Sequence, residues 1–472
     1  MKEIKVGTLF SGIGAFEHAL SQLGVKHKIQ FACDNGERGL PITFRYLGEL
    51  TQGLSVDEVA NYCDDYVNKV GIKKEVRDIE SRFMWRVALM CQDVLNERML
   101  EDENRLRFNA LNDIPYLPIV TQNNLDEPVV VKYNKQGRKS VVKHTLELLQ
   151  EQIIQLSENM TMKERELFVN GMYNSLGSPN DVKTTYMANY KLSEKQWHED
   201  LRFFDANEYN GKVDILVGGS PCQSFSNYGK KLGLEDARGT LFYDYARIIK
   251  ECQPKVFIYE NVENVTKNDN GRTWEVMLAV WKSLGYEIEW SIMNAKDYNH
   301  PQLRPRLFLI GFRKDIYTKP YQFPAKMTLT HKSTEYLEKR EIPDIYYLGK
   351  KGFEWITTPS KNLRRSRVNQ DIIGCETANQ QDNWIGDFRV EHPKPHHYTD
   401  ERIHVGKFDF KDGKGMVDAV GRKMTPRECL NLMGFDDTFK IAVPDSIAYR
   451  QAGNSIVVPV LKEIIKSLTS YL

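Results

Sequence analysis

The chain has 472 residues, more than one domain usually holds, so two or three domains are expected. Hydrophobic residues make up 41% of the sequence, which predicts a sizeable core, yet no apolar stretch approaches the ~18 residues of a membrane-spanning helix. The formal net charge of +1 excludes a broadly basic nucleic-acid-binding protein, so any site for a polyanion must arise from local clusters of basic side chains.

The first predicted elements are a strand, a glycine-rich turn and a helix. Ile4 to Phe10 is apolar, Ser11-Gly12-Ile13-Gly14 is the turn, and helical spacing runs from Ala15 to Leu23. A second predicted strand, Lys28 to Cys33, ends at Asp34. Glycines allow a ligand to approach the backbone, and a carboxylate can accept both hydroxyls of a ribose, so this unit predicts a nucleoside-containing cofactor. A purely structural turn is the alternative.

The segment from about Leu40 to Glu199 has a different character. Phe83 to Leu111 and His144 to Met172 are long, charged and spaced like helices, and Val129 to Lys143 has the pattern of a β-hairpin. We therefore predict a mainly helical insertion, residues 41–199, without a catalytic constellation. Its basic and acidic residues are balanced, so a DNA-clamping or partner-binding extension and a packed structural appendage are equal alternatives.

Three reactive groups are predicted at strand ends of an open α/β sheet. Cys222 follows the apolar run 213–217 and two glycines, Glu260 ends the strand 256–259, and Arg304 and Arg306 open the strand 306–310. Open α/β sheets carry out chemistry at such ends, so a reaction centre is predicted there. The seven cysteines lack regular spacing, which favours a reducing compartment and predicts neither disulfides nor a metal site. A structural ion pair is the alternative for either arginine alone.

Periodicity is lost beyond Arg313, and the segment to about Gly415 predicts a loop-rich second domain. Its sharpest basic cluster is Lys361 to Arg367, for which a solvated loop is an equal alternative. Helical patterning returns at Thr425, where Glu428 completes a capping box, and a final helix follows Pro459.

In order and content these motifs resemble those of the DNA cytosine-C5 methyltransferase family. The matching segments are Phe10 to Gly14, Gly219 to Gln223, Glu260 to Val262, Gln302 to Arg306, Arg422 to Glu428 and Gln451 to Pro459. The resemblance implies an α/β fold, a Rossmann-like doubly wound mixed sheet of the class I methyltransferase type, with a helical insertion and a smaller loop-rich target-recognition domain. The implied domains are the catalytic domain in two parts, 1–40 and 200–313, the insertion 41–199, the recognition domain 314–421, and a hinge with the closing catalytic part, 422–472.

The resemblance implies S-adenosylmethionine as the cofactor and no metal. The implied cofactor-binding residues are Phe10, Gly12, Ile13, Gly14, Asp34, Asn35, Asp200, Pro221, Asn454 and Val457. Asp200 is expected near the adenine amino group, with Asp205 as an alternative. Asn35 departs from the family, which usually has an aromatic residue there, so adenine stacking is expected from elsewhere.

The chemistry that the resemblance implies explains the reactive groups. Cytosine C5 is a poor nucleophile until a thiolate adds at C6, and Cys222 is the expected thiol, with a reference pKa of ~8.5. Glu260 is expected to be protonated when it meets N3, which requires a pKa raised by desolvation. Arg304 and Arg306 are expected on one face of an extended segment, holding either the base O2 and the thiol or a flanking phosphate.

The target cytosine lies inside a duplex, so the base must be extruded into the pocket. The DNA-binding residues expected are Gln223, Ser226, Gln302, Arg364, Arg365, Arg367 and Arg422. Further side chains able to pair with purine edges are Asn369, Gln370, Asn379, Gln380 and Gln381. A tRNA cytosine-C5 methyltransferase, a DNA-binding module without catalysis and a nicotinamide-dependent oxidoreductase are the alternatives.

The expected partner is double-stranded DNA, with a cognate restriction endonuclease that acts separately. We expect a monomer in the cytoplasm of a bacterial or phage-infected cell, because the first predicted strand starts near Met1 and leaves no room for a signal peptide.

Overall fold

The computed structural model describes residues 3–36, 38, 119–121, 130–132, 160–174, 179–220, 237–358, 366–381, 384–394, 398 and 400–471. The chain forms two compact units. The first comprises residues 1–37, 180–202 and 206–472, and the second comprises residues 38–179 and 203–205. In the described part of the chain, no helix is long and apolar enough to cross a membrane.

The strands have the following bounds in chain order: β1 Ile4–Leu9, β2 His27–Cys33, β3 Ile119–Thr121, β4 Val130–Lys132, β5 Trp197–His198, β6 Ile215–Gly218, β7 Val256–Val262, β8 Tyr286–Asn294, β9 Pro305–Arg313, β10 Ser366–Val368, β11 Gly386–Glu391, β12 Val405–Asp409 and β13 Met416–Lys423. The α-helices are α1 Ala15–Gln22, α2 Met162–Asn174, α3 Asp181–Asn189, α4 Ala237–Cys252, α5 Arg272–Ser283, α6 Lys350–Thr357, α7 Pro426–Leu432, α8 Asp445–Asn454 and α9 Val458–Leu468.

The main sheet of the first unit has the described strand order β5-β2-β1-β6-β7-β9-β8. The pairs β2–β5, β1–β2, β1–β6 and β6–β7 are parallel, whereas β9 is antiparallel to both β7 and β8. This is the doubly wound mixed sheet predicted from the sequence, and that prediction is confirmed. Parallel strands bring the ends of β1, β2, β6 and β7 to one edge of the sheet.

Helices cover both faces of this sheet because its central strands are apolar on both sides. Successive side chains of β7 point to opposite faces, so Ile258 joins the core cluster that includes residues of α1 and α9. On the other face, the ring of Phe257 contacts Tyr245 of α4 and Trp281 of α5. The C-terminal helix is therefore part of the main core.

A smaller sheet, β10-β11-β13-β12, lies within residues 366–423. Helix α6 packs on it through Phe353 and Ile356, which contact a cluster that includes Phe388 and Val390. The sequence predicted a loop-rich domain here, and it missed these strands because β10 has three residues and β12 is largely exposed, so neither shows a clear period of two. Strand β13 also continues to Lys423, past the predicted boundary at residue 421.

The inserted segment differs from the prediction at its C-terminal end. The insertion was predicted to end at residue 199, but residues 180–202 belong to the first unit. The reason is β5, whose two residues pair with Ala32 and Cys33 of β2 and are too few to give a sequence signal. In the second unit, β4 pairs with β3, and the predicted hairpin partner at 140–143 lies outside the described residues.

Candidate active site

The glycine-rich turn connects β1 to α1 and uses left-handed backbone conformations. Gly12 has φ 52° and Gly14 has φ 78°, and Phe10 adopts φ 50° although it is not a glycine. A side chain at Gly14 would also meet the ring of Tyr190, whose hydroxyl donates to the Gly14 carbonyl at 2.7 Å. Gly14 is therefore the N-cap of α1, while Gly12 lines the cavity described below.

Asp34, at the end of β2, holds two turns together. One carboxylate oxygen accepts the Gly12 N–H at 2.9 Å, and the other accepts the Gly36 N–H at 2.8 Å. A carboxylate oxygen is an acceptor of the kind that the hydroxyls of a ribose require. The side chain of Asn180 donates to the Asp34 carbonyl at 2.8 Å and caps α3, so the first residues of that helix stand beside the acid.

A cavity of about 260 Å³ opens at this edge of the sheet. Of the residues predicted to bind the cofactor, its lining includes Phe10, Gly12, Ile13, Asp34, Asn35 and Asn454. The same cavity is lined by Glu260, Arg304 and Arg306, so one space joins the turn around Asp34 to the predicted acid and arginines.

The sequence did not predict several further lining residues, which come from two helices. Asp181 and Val182 form the start of α3, and Ile447, Arg450 and Gln451 lie on α8. Positions 447, 450, 451 and 454 follow the i, i+3, i+4, i+7 spacing of one helix face, which is the signal that would have found them. Gln451 also ties α8 to α3, because its amide donates to the Asp181 carbonyl at 3.0 Å.

Three residues that were predicted to bind the cofactor do not line this cavity. The carboxylate of Asp200 is bound by the guanidinium of Arg202 at 2.6 and 2.9 Å, and the Asp200 side chain does not line the cavity. Gly14 and Val457 do not line it either, and Val457 is a buried residue at the start of α9. Asp205, the alternative to Asp200, belongs to the second unit. Pro221 lies outside the described residues.

Glu260 and Arg306 meet across two neighbouring strands. Glu260 on β7 lies opposite Phe308 of β9, so Arg306 is its diagonal neighbour on the same face, and Arg306 Nε lies 3.2 Å from Glu260 Oε1. Gly219 permits this packing, because a β-carbon there would lie 2.4 Å from the Glu260 carbonyl oxygen. Burial raises the pKa of Glu260 above its ordinary value, while Arg306 and Arg304 partly oppose that rise.

Arg304 is buried and binds backbone carbonyls. Its Nη1 donates to the Glu376 carbonyl at 2.5 Å and to Cys375 Sγ at 3.3 Å. Its Nη2 donates to the carbonyls of Gly453 at 2.8 Å and Ser455 at 2.7 Å. The four Nη hydrogens are thus engaged within the protein, whereas Arg306 directs its Nε to Glu260. The two arginines share the cavity but not the same surroundings.

Two predicted DNA-binding residues are in the core. Gln302 has no exposed surface, and its amide donates to the Leu432 carbonyl at 2.9 Å. Arg422 is 3% exposed and forms ion pairs with Glu428 and Glu391. Both side chains are buried away from solvent, which argues against direct contacts with DNA.

The other predicted DNA-reading side chains have varied positions. Arg367 is partly exposed and paired with Asp387 at 2.7 Å. Gln380 and Gln381 are buried, which contradicts their pairing with purine edges. The side chain of Asn369 is bound to the backbone of Val390, and Gln370 is exposed. Cys222, Gln223, Ser226, Arg364 and Arg365 lie outside the described residues.

Among the described residues, no group of three or more His, Cys, Asp or Glu side chains is arranged to hold a metal ion.

Comparison with known proteins places these motifs in one family. A family model described as C-5 cytosine-specific DNA methylase matches residues 171–470. The chain is 37% identical over 266 residues to the type II methyltransferase M.HpaII of Haemophilus parainfluenzae, covering 54% of this chain and 72% of that protein. It is 36% identical over 272 residues to M.HhaI of Haemophilus parahaemolyticus, covering 57% and 80%, and 32% identical over 333 residues to M.SsoII of Shigella sonnei, covering 67% and 82%. The chain belongs to the C-5 cytosine-specific DNA methylase family.

Proposed function

We propose that this DNA cytosine-5-methyltransferase methylates C5 of a cytosine within a short, specific sequence of double-stranded DNA, as the modification enzyme of a restriction-modification system. The observation that carries the proposal is the single cavity that joins Asp34 and Gly12 to the Glu260–Arg306 pair. The relatives named type II methyltransferases support the assignment to restriction and modification. A cognate endonuclease acts separately, and the methyltransferase works as a cytoplasmic monomer.

The residues around Asp34 fit S-adenosylmethionine, the methyl donor of the family. The Asp34 carboxylate lines the cavity and is an acceptor suited to ribose hydroxyls, and Gly12, which has a positive φ, lines the same cavity. Phe10, Ile13 and Val182 supply apolar surface for a purine ring, although Asn35 is not aromatic. When bound, this cofactor supplies an electrophilic methyl group on a sulfonium.

The acid step is assigned to Glu260. A thiolate that adds to cytosine C6 pushes electrons toward N3 and C5, and a proton donor at N3 stabilises that charge. Burial keeps the Glu260 carboxyl protonated at higher pH than an ordinary glutamic acid, which is the state that can donate to N3. Arg306, bound to the same carboxyl, is assigned to the O2 edge of the base.

The nucleophile is assigned to Cys222. Ser220 lines the cavity and Cys222 follows it by two residues, a span of at most about 7 Å of extended chain, so the thiol is expected within reach of a base beside Glu260. The Cys222 sulfur bonds to C6, C5 takes the methyl group, and loss of the C5 proton then expels the thiolate and restores the ring.

The test is covalent trapping on a DNA duplex that carries 5-fluorocytosine at the target. Bisulfite sequencing of DNA from a host that expresses the chain first identifies the methylated site. The wild type should form an adduct that survives denaturation, and Cys222→Ala should form none, while unmodified cytosine at the same site gives no stable adduct with either. An adduct with Cys222→Ala would contradict the assignment of Cys222 as the nucleophile. Methylation of tRNA instead of duplex DNA would contradict the proposed substrate.

A further inference from the structure

Cys375 lies at the point where the segment between β10 and β11 reaches the arginine pair. Its sulfur is 3.3 Å from Nη1 of Arg304 and 3.5 Å from Nη2 of Arg306. We propose that Cys375 is a positioning residue, whose sulfur holds both guanidiniums in the orientation in which Arg306 meets Glu260. Its effect on turnover rests on the proposed methyltransferase reaction, whereas its contact with the arginines does not.

The guanidinium of Arg306 is held from several sides. Nε lies 3.2 Å from Glu260 Oε1, Nη1 donates to the Pro305 carbonyl at 2.8 Å, and Nη2 points to the Cys375 sulfur. Two of these partners belong to the main sheet, and Cys375 belongs to the small-sheet segment. Removal of the sulfur would therefore remove the contact between this guanidinium and the small-sheet segment.

The charges around the sulfur favour its ionised form. Burial alone would raise the pKa of the Cys375 thiol, but the guanidiniums of Arg304 and Arg306 outweigh burial and lower that pKa. Burial raises the pKa of Glu260 and, further, that of Glu376, so these carboxyls are poor counter-ions for two adjacent guanidiniums.

The remaining ionisable groups near this segment are engaged elsewhere. Asp387 is paired with Arg367, and burial raises the pKa of the Cys429 thiol, which lies beside Glu376. The lowered pKa of Cys375 means that its thiolate is the form that the two guanidiniums stabilise.

The segment that carries Cys375 is fixed on both sides. The Ile373 carbonyl accepts the Leu303 N–H at 2.9 Å, and the Ile373 N–H donates to the Pro301 carbonyl at 2.9 Å. On the other side, a β-carbon at Gly453 would lie 2.1 Å from the Thr377 carbonyl, so the two backbones are in close contact. These contacts hold the sulfur of Cys375 in place beside Arg304 and Arg306.

The first test measures the thiol directly and needs no turnover. The native enzyme is treated with iodoacetamide between pH 5.5 and 9, and alkylation of the Cys375 peptide is followed by mass spectrometry, with buried Cys252 as an internal control. In the wild type, the rate of Cys375 alkylation should reach half its maximum at a pH below ~8.5, the ordinary pKa of a thiol. In Arg306→Gln the midpoint should rise. A midpoint near 8.5 in both proteins would overturn the proposal.

The second test separates positioning from folding. Cys375→Ala should lower kcat about 10- to 100-fold while KM for S-adenosylmethionine and affinity for DNA stay unchanged, as expected when a group that orients a catalytic side chain is lost. Cys375→Ser keeps a hydrogen-bond acceptor and should recover part of kcat. Cys252→Ala, which removes a buried thiol at the end of α4, is the matched control and should keep the wild-type kcat.

The two outcomes that count against the proposal are a wild-type kcat in Cys375→Ala and a parallel loss of kcat and cofactor affinity. A wild-type enzyme that methylates no cytosine would instead contradict the proposed function, and the alkylation profile would still decide the role of the thiol.

Discussion

Arg306 Nε lies 3.2 Å from Glu260 Oε1, and this pair forms one wall of a cavity whose other wall is the turn around Asp34. Two opposing effects act on the Glu260 carboxyl: burial raises its pKa, and the neighbouring guanidiniums lower it. Because burial dominates, the acid is protonated over a wider pH range than usual. The pair thus combines a proton donor with a fixed positive charge.

Glu260→Gln should lose activity without losing stability. Loss of a general acid lowers kcat by about 10²- to 10⁴-fold, while binding of S-adenosylhomocysteine should be unchanged. The raised pKa means that the stabilising contribution of Glu260 is fully present below the ordinary carboxyl pKa and is lost as pH rises through the folded value. The melting temperature of the variant relative to wild type should therefore increase with pH over that window. A constant difference at all pH values would contradict the raised pKa.

The two arginines should differ in their effect on stability. Arg304→Met removes the donors for the carbonyls of Glu376, Gly453 and Ser455, and unpaired buried groups of this kind cost about 3 kcal/mol or more. Arg306→Met should cost less, about 1 kcal/mol, because Glu260, whose pKa is raised, can take up a proton and is not left as an unpaired buried charge. Urea unfolding with S-adenosylhomocysteine absent gives both values. Equal losses would refute the distinction between an anchoring and a base-contacting arginine.

Asp34→Ala should weaken cofactor binding selectively. Hydrogen bonds to a charged group contribute about 1.5–3 kcal/mol each, so the loss of contacts to the ribose should raise Kd at least about 100-fold. Isothermal titration with S-adenosylhomocysteine measures this change. Asp214→Ala is the control, since Asp214 also accepts a backbone N–H, from Lys5 at 2.8 Å, but lies before β6 at the opposite edge of the sheet. Similar losses in both variants would show that Asp34 acts only through folding.

Arg422 should matter for stability rather than for reading DNA. Its guanidinium bridges Glu428, which is fully buried, and Glu391, so Arg422→Ala leaves a buried carboxylate without its counter-ion, at a cost of about 3–5 kcal/mol. Arg367→Ala, at a partly exposed position, should cost far less and should change DNA affinity more. Thermal unfolding measures the change in stability of each variant, and fluorescence anisotropy with duplex DNA measures its change in DNA affinity. A stable Arg422→Ala with weak DNA binding would restore the original assignment.

Local signals in the sequence were enough for the strands of the main sheet other than β5 and for the strand-end positions of Arg306 and Asp34, whereas Glu260 lies two residues before the end of β7. Apolar runs that end in glycine or charge mark strand ends because the pattern lies within a few residues. The burial of Gln302 and Arg422 depends on partners elsewhere in the fold, such as Leu432, so polar residues beside a motif were assigned to DNA. Cys375 was missed for the same reason, because its arginine partners are about 70 residues away in the chain.

The attachment of the inserted unit makes its removal a clean experiment. A β-carbon at Gly36 would lie 2.3 Å from Asn180 Oδ1, so the chain leaves and re-enters the first unit at adjacent points beside Asp34. A deletion of residues 38–179 with a short Gly-Ser linker should therefore fold and bind S-adenosylhomocysteine, whereas a deletion extended to residue 199 would remove α3 and β5. Phe203 and Phe204 belong to the second unit and are buried. Both should be replaced by serine in the two deletion variants, to limit aggregation.

The DNA affinity of the shorter deletion decides between the two roles of the insertion. A clamp predicts weaker binding to duplex DNA with cofactor affinity retained, and a packed appendage predicts unchanged DNA affinity and turnover. The deletion variant that keeps Phe203 and Phe204 is the control for the two substitutions, because both side chains are buried in the full-length protein and serine there would destabilise the fold. Loss of cofactor binding in the deletion alone would show that the first unit depends on the insertion to complete its cofactor site, contrary to the contacts of Asp34 and Asn180.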